Sequence, residues 1–128
     1  ISVAYEIQHI GGNTEMTVFI FPSGHDRNFP GDFEQACDAV LRFSRSSKLL
    51  IKKDVEIKQN GHVYRGKRAT FSMQSVFSGQ QIATLSLLYL FKYGDWYIKY
   101  RVTYPQTGHD KIMPEIERFM QELSWPEK

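Results

Sequence analysis

The sequence predicts an α+β fold, an antiparallel sheet of about six strands with helices packed on it, and three observations predict it. Asn60-Gly61 is the strongest short signal for a type I′ hairpin, and Gly94-Asp95 suits a type II′ hairpin with glycine first. Two stretches, about residues 33–46 and 110–123, repeat apolar residues at helical spacing.

Residues 2–10 alternate, with Val3, Tyr5 and Ile7 on one face and Glu6 and Gln8 on the other. Gly11, Gly12 and Asn13 supply a turn, and residues 15–21 return as a second strand carrying Val18 and Ile20. A polar loop then runs from Pro22 to Gly31. Asp32, with Gln35 three positions later, has the form of a capping box. Phe33, Ala36, Cys37, Val40 and Leu41 follow as one helical stripe.

Around Asn60-Gly61 the register sets Gln59 against His62, Ile57 against Tyr64, Glu56 against Arg65 and Asp54 against Lys67. The two opposite-charge pairs share a face and contribute about 0.2–1 kcal/mol each. Apolar parity then switches from Tyr64 to Ala69, Phe71 and Met73, which predicts a bulge near residues 66–68. The Gly94-Asp95 turn pairs Tyr93 with Trp96, Phe91 with Ile98, Tyr89 with Tyr100, Leu87 with Val102 and Leu85 with Tyr104. Every pair is aromatic or aliphatic, so this face is the expected main core. The opposite face carries Leu88 and Leu90 beside Lys99 and Arg101, so the strand from Ile82 to Tyr93 needs cover on both sides.

Asp110 can cap a last helix bearing Ile112, Ile116, Phe119, Met120 and Leu123, with Pro114 in its first turn and Ser124-Trp125-Pro126 ending it. The order is strand, strand, helix, four-strand meander, helix, in a single domain over residues 1–128 without repeat, linker or low-complexity segment. Leu90-Phe91, the run Gly94-Asp95-Trp96-Tyr97-Ile98-Lys99-Tyr100-Arg101-Val102-Thr103-Tyr104-Pro105 and the closing Leu123-Ser124-Trp125 give this order a resemblance to small exported bacterial proteins with a PsbP-like sandwich. The likeness covers most of the chain as topology and carries no catalytic signature. It implies a binding or assembly factor, and no functional residue transfers from it.

Composition narrows the function. The chain has 128 residues, 41% hydrophobic and 23% charged, enough for a core without metal or disulfide staples. A single cysteine, Cys37, excludes an intrachain disulfide and zinc-finger spacings. No apolar run reaches the ~20 residues that span a bilayer. The chain opens on Ile1 rather than methionine, which suggests a removed leader or a trimmed chain, and the expected location is exported or periplasmic. Net charge is +2, but residues 1–41 hold six acidic residues against Arg27, a net −5, whereas residues 42–68 hold nine bases against Asp54 and Glu56, a net +7. That basic segment is expected to favour an acidic partner, or to be screened by Glu34 and Asp38 if the first third folds against it.

No phosphate loop, nucleophile elbow or H-E-x-x-H helix is present, and Glu115 and Glu117 lie on the outer face of a helix where solvated salt-bridging is the default. Cys37 sits on an apolar stripe and reads as a buried thiol; Tyr89, Tyr100 and Tyr104 read as core. A nucleic-acid footprint is not supported, since the sequence pI of 8.7 falls short of the value above about 9 that marks one and Arg65 and Lys67 are paired in the expected register. The expectation is a non-enzymatic binding or assembly module for another protein, with no cofactor. Its interaction residues are the basic Lys48, Lys52, Lys53 and Arg68 together with the mixed apolar and cationic set Leu88, Leu90, Tyr97, Lys99 and Arg101. Exposure of Leu88 and Leu90 decides whether that second set is a surface or a covered core. The alternative is a small-molecule or metal-dependent hydrolytic site if the Gly24-His25-Asp26 and Gly108-His109-Asp110 loops converge, with His25, Asp26, His109 and Asp110 as candidate ligands.

Overall fold

Alternating strands and two amphipathic helices assemble as the hairpin signals require. The structure, a computed structural model, describes residues 2–7, 14–23, 28–77 and 79–126, with residues 2–7 and 77 as backbone only. Strands β1 (Ser2–Ile7) and β2 (Thr14–Pro22) precede helix α1 (Phe29–Phe43). Strands β3 (Lys48–Gln59), β4 (His62–Phe77), β5 (Gln80–Tyr93) and β6 (Trp96–Pro105) follow, then a 3-10 turn (Gln106–Gly108) and helix α2 (His109–Glu122). The sheet order is β1-β2-β6-β5-β4-β3, antiparallel throughout. The turn expected at residues 11–13 and the end of the first strand at residues 8–10 lie outside the described residues.

Both dipeptide hairpins form in the expected register. Asn60 (φ 52°) and Gly61 (φ 80°) are both left-handed, as a type I′ turn requires, and Gln59 faces His62. At Gly94-Asp95 only the glycine has positive φ, 61°, as in a type II′ turn, and Phe91 faces Ile98.

The expected bulge at residues 66–68 is absent: β4 pairs with β5 without interruption, and the bulge lies in β3 between Leu49 and Ile51. The apparent parity switch has another cause. Tyr64 and Gly66 belong to the sheet face covered by α2, whereas Ala69, Phe71 and Met73 belong to the face covered by α1, so one straight strand serves two cores. Gly66 leaves no room for a side chain against β5, since a Cβ there would meet the Leu90 carbonyl oxygen and the Phe91 ring.

The α2 face is the larger core. Leu85, Leu87, Tyr89, Phe91 and Tyr93 pack with Ile98, Tyr100, Val102 and Tyr104, beneath Ile112, Ile116 and Met120 of α2. Trp125 closes it beside Tyr64, Phe91 and Tyr93, and its indole Nε1 donates to Tyr100 Oη at 2.5 Å. On the opposite face, Phe33, Cys37 and Val40 of α1 cover Ala69, Phe71, Leu88, Leu90 and Tyr97.

Both helix starts differ from expectation. Helix α1 opens at Phe29 rather than about residue 33: Asn28 is the cap, its Oδ1 accepting from Gly31 N at 3.2 Å, and Pro30 sits in the first turn. The Asp32 carboxylate is not a cap because Tyr97 Oη donates to it at 2.5 Å. Helix α2 opens at His109 with Gly108 at the cap position and no side-chain cap bond, so Asp110 lies in the first turn, where its charge favours the helix dipole, and Pro114 lies in the second turn.

Candidate interaction surface

The sheet ends on β3, and its outer edge carries an apolar run among cations. Leu50 is 55% and Ile51 51% exposed, Leu49 is also exposed, and Phe43, which closes α1 just before the strand, is 91% exposed. Three consecutive apolar residues cannot all face a core from one strand, because alternate side chains point to opposite faces. The bulge at Leu50 adds a residue that the β4 partner does not match. Soluble proteins blunt such edges with lysines, and here Lys48, Lys52 and Lys53 bracket the run, with Arg42 and Arg45 at the preceding helix end.

Backbone direction defines how much of this edge is open. Lys58 N donates to Gln121 Oε1 of α2 at 2.8 Å, so the Lys58 amide points away from β4 and that end of the edge is covered. With a period of two, the amides of Glu56, Asp54 and Lys52 point outward as well. At the other end Ser46 Oγ accepts from Gln74 N at 3.1 Å, which covers β4 where it runs past β3. The open stretch is therefore residues 48–56, with outward donors at Lys52, Asp54 and Glu56.

The residues expected to interact divide into five groups. Lys48 and Lys53 are exposed on the β3 edge and make no ion pair among the described residues. Lys52 is already engaged, its Nζ 2.7 and 2.5 Å from the Glu34 carboxylate oxygens, and that hydrogen bond raises its pKa. The acidic first third thus screens part of the basic segment, as one of the two expectations held. Arg68 faces the α2 side, its guanidinium 5.9 Å from the Tyr89 ring centroid.

Leu88 and Leu90 are 0% and 2% exposed beneath α1, and Tyr97 is buried with them, so these three are core and not an interface. Their apolar surface is what α1 covers. Lys99 and Arg101 remain half-buried at the margin of α1. Lys99 Nζ lies 4.7 Å from the Phe19 ring centroid, and Arg101 Nη2 donates to Ser86 Oγ at 2.7 Å. Burial lowers both pKa values, and the Arg101 charge lowers Lys99 further.

The two Gly-His-Asp loops do not meet as a described site. His25 and Asp26 lie outside the described residues. His109 begins α2, where its Nδ1 is 2.7 Å from Tyr104 Oη and the two rings stack. Burial pushes the Tyr104 phenol upward, so its hydroxyl keeps its proton in this hydrogen bond. Asp110 is exposed in the first turn of α2. Among the described residues no three His, Cys, Asp or Glu side chains cluster. Cys37 is buried, and burial pushes its thiol up to about 11. Glu115 pairs with Arg118 on the outer face of α2.

No family model matches the chain, and no match was found among curated proteins. A solved structure is similar: PA94 of Pseudomonas aeruginosa, a protein of unknown function for which a regulatory role has been suggested. It superposes with a TM-score of 0.75 at 11% identity, covering 100% of this chain and 85% of that one. At that identity the likeness establishes a shared fold and no more.

Sequence reading missed Phe43, Leu49, Leu50 and Ile51. The signal was present: an unbroken apolar triplet between Ser46-Ser47-Lys48 and Lys52-Lys53 breaks the alternation of a half-buried strand, and such a run on a surface calls for a functional reason. Among the described residues no helix is long and apolar enough to cross a membrane.

Proposed function

We propose that this chain is a non-enzymatic binding module that takes an extended segment of another protein, carrying acidic and apolar residues, as an added strand on the β3 edge. The observation that carries the proposal is the exposed Leu49-Leu50-Ile51 run on an edge strand whose outward amides face no neighbouring strand among the described residues. An added strand receives main-chain hydrogen bonds from Lys52, Asp54 and Glu56, while alternate side chains meet Leu50, Ile51 and Phe43. Charge complementarity selects acidic residues in that segment, since Lys48 and Lys53 flank the apolar run along the strand and Arg45 precedes it. The PsbP-like sandwich and export belong to the same reading. What supports the sandwich is the element order and an antiparallel sheet with a helix on each face, and export rests on the resemblance alone.

The test is titration of the purified chain with a fluorescent peptide that alternates glutamate with valine and leucine. Binding should weaken steeply with salt, because exposed charges beyond ~8 Å are screened at physiological ionic strength. Burying the exposed halves of Leu50 and Ile51 is worth about 1.5–3 kcal/mol together, so the double variant Leu50→Lys, Ile51→Lys should bind roughly ten- to a hundredfold more weakly. Unchanged affinity in that variant, or a concentration-dependent dimer of the chain that the same variant abolishes, would replace this reading.

A further inference from the structure

We propose that the cleft between α2 and the β3–β5 face binds a small monocarboxylate with an apolar body, held by Arg68 and Tyr89. The cleft has a volume of about 620 Å³, within the range of small-ligand sites. Its apolar walls are Ile57, Phe91 and Met120, with Glu117 of α2 at the rim. Arg68 and Tyr89 are directly opposed on β4 and β5, so their side chains rise together from the same face.

Two polar donors in this cleft have no acceptor among the described residues. Tyr89 is 3% exposed and its hydroxyl lies by the Arg68 guanidinium, which only donates, so the hydroxyl proton finds no acceptor and the buried Nε of Arg68 finds none either. An unsatisfied buried polar group costs about 1–3 kcal/mol, and two in one cleft call for a common acceptor. Both groups are donors, since a guanidinium has no acceptor and burial keeps the phenol protonated. A carboxylate offers two oxygens to such a pair, and hydrogen bonds to a charged acceptor are the stronger kind.

The surrounding charges choose the valence. Asp54 and Glu56 are held by Lys67 and Arg65, and of the other lining charges the carboxylates Glu117 and Glu122 offset the cations Lys53 and Arg68, none of the four in an ion pair among the described residues. Two cations offset by two carboxylates take a single negative charge more readily than a dianion such as a phosphate ester. The apolar walls then favour an organic acid over an inorganic anion. This site lies on the α2 face, and Lys53, Asp54 and Glu56 of β3 line its rim as well.

The experiment is calorimetric titration of the intact chain with 3-phenylpropanoate, with 3-phenylpropanol and 3-phenylpropyl phosphate as matched probes. The acid should bind about tenfold or more tightly than the alcohol, and more tightly than the phosphate. Arg68→Gln should remove that preference. Tyr89→Phe, which keeps the ring, should weaken the acid about tenfold while leaving the melting temperature unchanged or higher, because it deletes a buried hydroxyl whose proton has no acceptor. The proposal is overturned if the acid and alcohol bind alike, if the phosphate binds best, or if none binds at about 10 mM. A marked loss of stability in Tyr89→Phe would also overturn it, since the hydroxyl would then have a structural partner.

Discussion

Gln59 is the buried polar group on which the end of α2 depends, and its replacement by leucine should be among the costlier changes in this protein. The side chain is buried. Its Nε2 donates to Met120 O at 3.2 Å and Leu123 O at 3.0 Å, and its Oε1 accepts from Trp125 N at 3.0 Å. Helix ends leave carbonyls without intrahelical partners, so one amide on β3 satisfies the C-terminal end of α2 and the segment that seats Trp125. Gln59→Leu orphans all three groups. Leu123 is only partly buried, so water can reach its carbonyl and two orphans remain, costing about 1–3 kcal/mol each. Less about 1 kcal/mol regained from the apolar side chain, the expected loss is about 1–5 kcal/mol, or roughly 4–19 °C in melting temperature for a chain of this size.

Urea unfolding followed by tryptophan emission measures this directly, because Trp125 is buried while Trp96 is substantially exposed. Gln59→Glu is the companion variant. A carboxylate keeps an acceptor for Trp125 N but turns its second oxygen toward two carbonyls, so its folded pKa is raised above the unfolded value. Stability is then retained at low pH, where the acid can still donate, and is lost as pH rises through the folded pKa. A loss below about 1 kcal/mol in Gln59→Leu, or a Gln59→Glu variant equally stable at pH 5 and pH 8, would refute the reasoning.

Two further outcomes follow from packing and burial. Gly66→Ala should destabilise by about 1–3 kcal/mol, because the added methyl meets a backbone carbonyl that cannot rotate away; differential scanning calorimetry showing no change would contradict the lack of room against β5. Cys37 should resist thiol reagents at pH 8 until the chain unfolds. Because its folded pKa is raised from the ordinary 9.0 to about 11, its contribution to stability is intact below pH 9 and is lost between pH 9 and 11, by about 1.4 kcal/mol per pH unit. A Cys37→Ala variant should show a shallower stability decline across that window.

Much of the fold was legible because local chemistry determined it. Asn60-Gly61 and Gly94-Asp95 each admit few turn geometries, and each turn then fixes its strand register, down to the Asp54–Lys67 pair at 2.7 Å. Helix starts were less legible, since Asp32 and Asp110 have the chemistry of caps but tertiary partners and chain course decide whether they cap. Tyr97, sixty-five positions away from Asp32, claims that carboxylate. The misplaced bulge has a similar origin: a parity change in β4 reads as a slip unless one knows that helices lie on both faces. For the interaction surface, charge was readable and burial was not. Leu88 and Leu90 look like candidates beside Lys99 and Arg101 until α1 is set over them, whereas the Leu49-Leu50-Ile51 run looks like ordinary strand until β3 is placed at the edge of the sheet.

Amide hydrogen exchange on β3 tests the central claim most directly. It is measured with the alternating acidic peptide and with the same peptide N-methylated at alternate residues, which keeps the side chains but removes main-chain donors. Strand addition predicts that Lys52, Asp54 and Glu56 amides become protected with the first peptide and not with the second. Protection elsewhere on the chain, or equal protection by both peptides, would contradict it.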